Sequence, residues 1–142
     1  MKWTLPLVAL ALMGQTTPTA APPATAADDA EIVVTARKLS NRWKGSVTTM
    51  NGQTSCKTVK STGDAEFDAI GCSSMLKCWP DYWPKIVAAG NIESAAGRIK
   101  TEEDFLRSKP ILRLYGNFGK CVQPMIFSGI RGVLKQRRAA RA

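Results

Sequence analysis

Residues 46–60 have the pattern of a β-hairpin. Two stretches rich in Val, Thr and Ser, residues 46–50 and 53–60, flank the dipeptide Asn51-Gly52. Asn-Gly is the favoured centre of a two-residue type I′ turn, because both central positions of that turn need a positive φ. The turn sets the register of the two strands. The resulting cross-strand pairs are Met50 with Gln53, Thr48 with Ser55, and Val47 with Cys56.

A helix is predicted directly after the hairpin, over residues 64–78. Asp64 suits the N-cap position, and the acidic residues Glu66 and Asp68 suit the positive end of a helix dipole. Trp79-Pro80 is expected to end the helix, because proline disfavours helical geometry at the residue before it. Small and apolar residues recur between these ends with the period of one helix face. They are Phe67, Ile70, Gly71, Ser74, Met75 and Cys78.

Three segments around this core have shorter patterns. Residues 31–36 (EIVVTA) form a β-branched run with a preference for strand. Residues 79–84 (WPDYWP) are expected to form an aromatic loop, either a sugar-binding or peptide-binding surface or a cover for the core. Residues 101–104 (TEED) carry a capping-box pattern that starts a short helix, which Pro110 is expected to stop.

The C-terminal part is expected to end in a helix. Residues 111–115 are predicted to form a strand and residues 116–119 a turn. Residues 124–141 have the pattern of a basic amphipathic helix, whose apolar side is formed by Ile126, Ile130, Val133 and Leu134. Together the elements predict an α+β fold, in which a small antiparallel sheet packs on a helix and a basic helical part follows.

The first 26 residues have the pattern of a secretory signal peptide. Lys2 precedes an apolar run over residues 3–13, and Ala24-Thr25-Ala26 fits the A-x-A cleavage motif. An uncleaved anchor is the alternative, but the run is well short of the roughly twenty residues that span a bilayer. We therefore expect an exported protein, periplasmic or secreted. Its predicted parts are a lead with one strand (27–44), a disulfide-stabilised domain (45–123) and a basic segment (124–142).

Four cysteines lie in the part of the chain that is expected to be exported: Cys56, Cys72, Cys78 and Cys121. An oxidising compartment favours disulfides, and the lack of a C-x-x-C pair disfavours a zinc site or a redox motif. Four cysteines allow three pairings. We favour Cys56–Cys72, which ties the second hairpin strand to the helix, together with Cys78–Cys121, which ties the end of that helix to the C-terminal half.

Positive charge is concentrated at the C-terminus. The chain has a formal net charge of +9, and residues 105–142 contain nine Lys and Arg but no Asp or Glu. Such a block attracts anionic lipid headgroups, lipopolysaccharide or cell-wall polymers, with nucleic acid the least favoured partner. A solvated tail that keeps the protein soluble is the alternative. The candidate contact residues are Arg131, Lys135, Arg137, Arg138 and Arg141.

The chain contains no histidine. This removes the commonest general base and metal ligand, and it excludes a Ser-His-Asp arrangement. The clustered acidic residues fall in first helical turns, where they have a structural role. We expect no catalytic residues, no metal site and no cofactor; a hydrolase that uses carboxylates is the alternative.

The segment from Thr54 to Cys72 (TSCKTVKSTGDAEFDAIGC) resembles the strand–turn–helix core of the C-terminal domain of TonB energy transducers. In that family a strand containing valine ends in Ser-Ser-Gly, and the next helix opens with an apolar residue followed by Asp and Ala. The resemblance covers residues 45–78 and implies a sheet edge that binds a partner by strand addition. The matching positions here are Ser61-Thr62-Gly63 and Phe67-Asp68-Ala69.

Residues 31–36 are similar to the TonB box of TonB-dependent outer-membrane receptors, which adds a strand to the sheet of the transducer. The similarity implies partner binding in trans, or completion of the chain's own sheet in cis, through Ile32, Val33, Val34 and Thr35. The first functional hypothesis is therefore an exported binding or adaptor module that recognises an envelope protein by strand addition. The alternative is a binder of anionic envelope components through the basic C-terminus.

Overall fold

The fold is built around two long antiparallel helices that pack against each other. A computed structural model describes residues 25–142, and within them the chain forms four helices and one hairpin. The elements are α1 (Ala26–Arg42), β1 (Lys44–Met50), β2 (Gln53–Lys60), α2 (Ala65–Ala95), α3 (Glu102–Arg107) and α4 (Lys109–Arg141). The predicted α+β class is confirmed, because a two-stranded antiparallel sheet packs on α2.

The core forms where α4 packs against α2. The two helices run antiparallel, because Asp64 at the start of α2 meets Arg137 near the end of α4. Gly129 lets them come close: an ideal Cβ at this position would lie 2.6 Å from Cγ2 of Ile70. The buried stripe of α4 consists of Ile111, Phe118, Val122, Ile126 and Ile130. The buried apolar residues of α2 include Phe67, Cys78, Trp79 and Ile86.

Both disulfides have the predicted pairing. Cys56–Cys72 joins β2 to α2, and Cys78–Cys121 joins the middle of α2 to the middle of α4. The paired residues are 16 and 43 positions apart in the sequence. In the chain-entropy model, loops of this size stabilise the fold by about 3 and about 4 kcal/mol.

The hairpin has the predicted register. Asn51 and Gly52 occupy the turn with φ values of 51° and 76°, and all three predicted pairs are present. The register shifts between Lys44 and Gly45. Because Gly45 then pairs with Thr58, Val59 has no partner on β1 and its side chain is exposed.

Trp43 packs the hairpin against α2. Its side chain is 2% exposed, and its indole Nε1 donates a hydrogen bond of 3.2 Å to Oγ1 of Thr58. The ring lies against two glycines, since an ideal Cβ on Gly45 or on Gly71 would lie 2.6 Å from Cζ2 of the indole. Only glycine therefore fits beside the indole at these two positions.

The predicted strand at residues 31–36 is wrong, because this segment lies inside α1. Thr25 and Asp28 form a capping box at the start of the helix, whose first turn is acidic. The helix packs on α4, and burial at every fourth position overrides the strand preference of the β-branched run. The buried positions are Ile32, Ala36 and Ser40.

α2 does not end at Trp79-Pro80 as predicted. The helix continues through residues 79–84, so the predicted aromatic loop is also wrong. Pro80 and Pro84 each remove a helical N–H donor, but both prolines lie on the exposed side of the helix. Trp79 and Ile86 are buried on the other side, and their packing holds the helix together across the two missing hydrogen bonds.

The predicted strand at residues 111–115 and the predicted turn at residues 116–119 are wrong, because α4 runs through both. The capping box at Thr101 is confirmed and starts α3. Pro110 lies in the first turn of α4, where the absent N–H would have no helical acceptor. The helix predicted over residues 124–141 is confirmed as the second half of α4.

The predicted signal peptide lies outside the described residues except for Thr25 and Ala26. Its cleavage stays a prediction. None of the helices between residues 25 and 142 has both the length and the hydropathy needed to cross a membrane.

Replacing Gly71 with alanine is expected to destabilise the protein by about 1–3 kcal/mol, because the added methyl group overlaps the buried indole of Trp43. Gly116 is the matched control, since it lies within α4 and an ideal Cβ there would meet no atom within 4 Å beyond the adjoining backbone of its own helix. Gly116→Ala is expected to stabilise the helix by up to about 1 kcal/mol. Urea denaturation measures both free energies of unfolding. Equal effects at the two sites would contradict the packing of Trp43 on α2.

Candidate anion-binding surface

Arg137 binds the end of α4 to the start of α2. Its Nη1 lies 2.7 Å from Oδ2 of Asp64, and its Nη2 lies 2.7 Å from Oε2 of Glu66. The guanidinium also lies 4.6 Å from the ring centroid of Phe67, within the range of a cation–π contact. Asp64 additionally caps α2 by accepting hydrogen bonds from two backbone N–H groups. The same carboxylate therefore starts one helix and holds the end of another.

Arg138 binds the end of α4 to the start of α1. Its Nη1 donates a hydrogen bond of 2.9 Å to the carbonyl oxygen of Asp28 and lies 3.2 Å from that residue's carboxylate. Its Nη2 lies 3.2 Å from the carboxylate of Glu31. Acidic residues near the starts of α1 and α2 thus neutralise two neighbouring arginines of α4.

These contacts explain the pKa shifts at the helix starts. The hydrogen bond from Arg137 is the largest cause that holds the pKa of Asp64 below its ordinary value of 3.8. For Asp28, the side-chain and backbone hydrogen bonds of Thr25 are the main cause of a lowered pKa, and the charge of Arg138 adds a smaller effect. Both carboxylates are therefore ionised at neutral pH.

The five basic residues predicted to contact an anionic surface fall into two groups. Arg137 and Arg138 are held by acids of the same chain, which reduces their attraction for an external anion. Lys135 and Arg141 are exposed, and within residues 25–142 neither forms an ion pair. Arg131 is half-buried, and its Nε has no hydrogen-bond partner in the described part of the chain.

The first half of α4 also carries unpaired cations. Lys109, Arg113 and Lys120 are exposed and follow one another at intervals of four and seven residues, which places them on one side of the helix. None of them forms an ion pair with any residue from 25 to 142. These three residues belong to the acid-free block at residues 105–142. Because a strand and a turn were predicted at residues 111–119, the sequence did not indicate that the three side chains share one face of a helix.

A second acid-free block was missed by the sequence analysis. Residues 32–63 contain no Asp or Glu. The sequence alone shows this block, as a run of 32 residues in which every charged side chain is positive. Its six basic side chains are exposed and form no ion pair in the described part of the chain. They are Arg37, Lys38 and Arg42 on α1, Lys44 on β1, and Lys57 and Lys60 on β2.

The structure places the TonB-box-like residues where they cannot form an edge strand. Ile32 is buried, Val33 and Thr35 are half-buried, and Val34 is 66% exposed. All four lie inside α1, where their backbone groups make helical hydrogen bonds. The predicted contact strand is therefore wrong in this fold, because the backbone N–H and C=O groups that would pair with a partner strand are hydrogen-bonded within α1.

The aromatic residues of segment 79–84 of α2 belong mainly to the core. Trp79 is 2% exposed and lies 5.2 Å from Phe118 and 5.4 Å from Trp83, measured between ring centroids. Its indole Nε1 donates a hydrogen bond of 2.8 Å to Oγ1 of Thr49 on the hairpin. Tyr82 and Trp83 are half-buried, so this cluster reaches the surface beside the buried Trp79.

Several acidic and hydroxyl side chains of the described residues have structural contacts. Asp68 accepts hydrogen bonds of 2.8 Å from both the N–H and the hydroxyl of Thr62, and Asp104 belongs to the capping box of α3. Ser74 is buried, and its hydroxyl donates to the carbonyl of Ile70 at 2.7 Å. Within residues 25–142, no group of three or more His, Cys, Asp or Glu is placed to hold a metal ion.

Replacing Arg137 with glutamine is expected to lower the urea midpoint at neutral pH, because Asp64 and Glu66 lose their partner. The pKa of Asp64 is lowered from 3.8 in the folded state, so its stabilising effect is complete above that value and is lost as the pH falls through the lowered pKa. The difference between wild type and variant should therefore shrink at acidic pH. Lys135→Gln removes the same charge at an exposed site and is the control. A difference that is independent of pH, or equal to that of the control, would contradict the ion pair.

Comparison of the chain with family models, with curated proteins and with solved structures gives no match. The strand–turn–helix segment that resembles TonB is present as β2, the turn at residues 61–63 and the start of α2. Since no match tests the resemblance, it stays a prediction.

Proposed function

We propose that this chain is a non-catalytic binding module that docks onto anionic envelope components, such as lipid headgroups, lipopolysaccharide or cell-wall polymers. The observation that carries the proposal is the separation of charge along the chain. All eleven acidic residues lie within residues 28–31 and 64–104. The blocks 32–63 and 105–142 contain only positive charges.

The fold turns most of this positive charge outward. The acids near the starts of α1 and α2 neutralise only the last part of α4, through Arg137 and Arg138. Twelve other cations of the two blocks form no ion pair in residues 25–142. Each Lys or Arg near an anionic leaflet contributes about 1 kcal/mol of binding at moderate salt. A surface of this kind binds by summed attraction and needs no shaped pocket.

The basic face of α4 is the best-defined part of this surface. We expect the triple substitution Lys109→Gln, Arg113→Gln and Lys120→Gln to weaken binding to anionic vesicles about a hundredfold, because three contributions of about 1 kcal/mol are lost. The matched control removes three lysines from the acid-containing block, at positions Lys77, Lys85 and Lys100. Co-sedimentation at low and high salt measures the effect.

The salt series provides the second check on this proposal. Raising the salt to about 1 M shortens the Debye length to about 3 Å and should release the wild-type protein. Binding that ignores salt, or that falls equally in the triple variant and its control, would overturn the electrostatic proposal. The same assay with cell-wall polymer shows whether the anion has to be a lipid.

A second candidate function is recognition of an envelope protein by strand addition, now at the hairpin and not at residues 31–36. β2 is the more exposed strand of the sheet. Neither strand makes a backbone hydrogen bond with another described element. The outer edge of β2 therefore offers unpaired ladder groups to an extended partner.

Thr54→Pro tests this second candidate. Met50 and Gln53 flank the two-residue turn and form a hydrogen-bonded pair, so the N–H of Thr54 points away from β1. Proline removes this N–H and is tolerated on an edge strand, whereas Thr54→Ala keeps it. In a pull-down with a TonB C-terminal domain, the alanine variant should bind like wild type and the proline variant should not. Equal binding by both variants, or no binding by wild type, would contradict recognition by strand addition at β2.

A further inference from the structure

An exposed apolar patch lies beside the basic face of α4. On α2 it comprises the half-buried Trp83 and Val87, which is 39% exposed; on α4 it comprises Leu112 and Tyr115, which are 51% and 37% exposed. Each pair is three or four residues apart, so its members lie on the same side of their helix. We call these four residues the apolar patch.

The two halves of the apolar patch lie next to each other. The ring of Trp79 lies 5.4 Å from that of Trp83 and 6.4 Å from that of Tyr115, measured between centroids. Because α2 and α4 are antiparallel, moving from Trp83 to Val87 along α2 corresponds to moving from Tyr115 to Leu112 along α4. Trp83 and Tyr115 therefore lie close to the same indole ring, and Val87 and Leu112 follow about one turn further along their helices.

The hairpin brings a further apolar residue to the same region. β1 runs in the direction of α2, since Trp43 before β1 packs at Gly71 and Thr49 near its end meets Trp79. The tip of the hairpin therefore lies near the level of Trp83. Met50 at this tip is 72% exposed.

No described element covers the outer side of α4 next to the patch. Ideal Cβ atoms at Gly116 and Gly119 meet no atom within 4 Å beyond the adjoining backbone of α4 itself. Packing within the described residues thus gives no reason for two glycines, each of which weakens a helix by about 1 kcal/mol relative to alanine. Their bare backbone leaves room for an external surface to approach between the apolar patch and the cations Lys109, Arg113 and Lys120.

We propose that the apolar patch and Met50 insert into the interface of an anionic phospholipid bilayer, while Lys109, Arg113 and Lys120 contact the headgroups. This inference rests on the proposed function and specifies a phospholipid bilayer as the anionic surface that is bound. A hydrated polymer has no apolar layer in which exposed Leu and Val side chains could be buried. Trp and Tyr beside aliphatic and basic side chains instead match the polar and apolar layers of a membrane interface. The charge of the three cations is complementary to anionic headgroups.

The protein contains a reporter for this contact. Trp43 and Trp79 are each 2% exposed, so among the described residues Trp83 is the tryptophan that a lipid can reach. We expect vesicles of phosphatidylglycerol and brominated phosphatidylcholine to quench the fluorescence of the full-length protein. The quenching should be lost in Trp83→Phe, which keeps an aromatic ring against Trp79. The difference between the two proteins isolates Trp83 from every other tryptophan of the chain.

Substitution of the aliphatic residues gives an independent measurement. Leu112→Gln is expected to weaken vesicle binding about tenfold, because a half-exposed leucine no longer enters the apolar layer. Val34→Gln is the matched control, because Val34 is equally an exposed aliphatic residue but lies on α1. Both positions are exposed, and near-ultraviolet circular dichroism confirms that each variant is folded.

The outcomes separate the inference from the proposed function. Quenching of Trp83 together with a loss specific to Leu112→Gln supports insertion. Salt-sensitive vesicle binding without quenching, and with equal binding by Leu112→Gln and Val34→Gln, overturns insertion and leaves the proposed function standing. Binding to cell-wall polymer but not to vesicles also overturns insertion alone. Failure to bind any of these anionic probes overturns both.

Discussion

The packing of α4 along α2 is the interaction on which the rest of the structure depends. The buried residues of α4, from Ile111 to Ile130, form the apolar side of this helix. α4 contains no acidic residue. Cys78–Cys121 fixes the middle of this contact covalently. With the apolar side turned inward, the basic side chains of α4 can only face solvent or the ends of neighbouring helices.

The two ends of α4 consequently differ in their electrostatics. At the C-terminal end, Arg137 and Arg138 reach the acidic first turns of α2 and α1 and act as structural contacts. Toward the N-terminal end no acid of the described residues pairs with the exposed cations, and the helix is bordered by an apolar patch instead. The part of the basic block that looks strongest in the sequence, its dense C-terminal cluster, is thus partly neutralised within the chain.

Local chemistry made the hairpin and the starts of α2 and α3 predictable, and the two disulfides followed from the placement of the cysteines on the predicted elements. Asn51-Gly52 determines its turn without reference to the rest of the chain, and Asp64 caps α2 within the same few residues. The errors arose where tertiary burial outweighs local preference. The β-branched residues of α1 are helical because Ile32 and Ala36 face α4, and α2 passes through Pro80 because Trp79 is buried. The ion pairs of Arg137 and Arg138 join residues 73 and 110 positions apart, so the sequence order gave no sign of them, whereas the acid-free block at residues 32–63 could have been noticed.

The central claim is that the first half of α4, with the apolar patch beside it, faces an anionic bilayer. Paramagnetic relaxation by a spin-labelled lipid in anionic bicelles tests this claim most directly, because it reports distance to the membrane for individual nuclei. We predict strong broadening of the Trp83 indole signal and of the Gly116 and Gly119 amide signals, with little effect on the amide of Val34. Broadening centred on α1, or uniform weak broadening over the whole protein, would contradict the account.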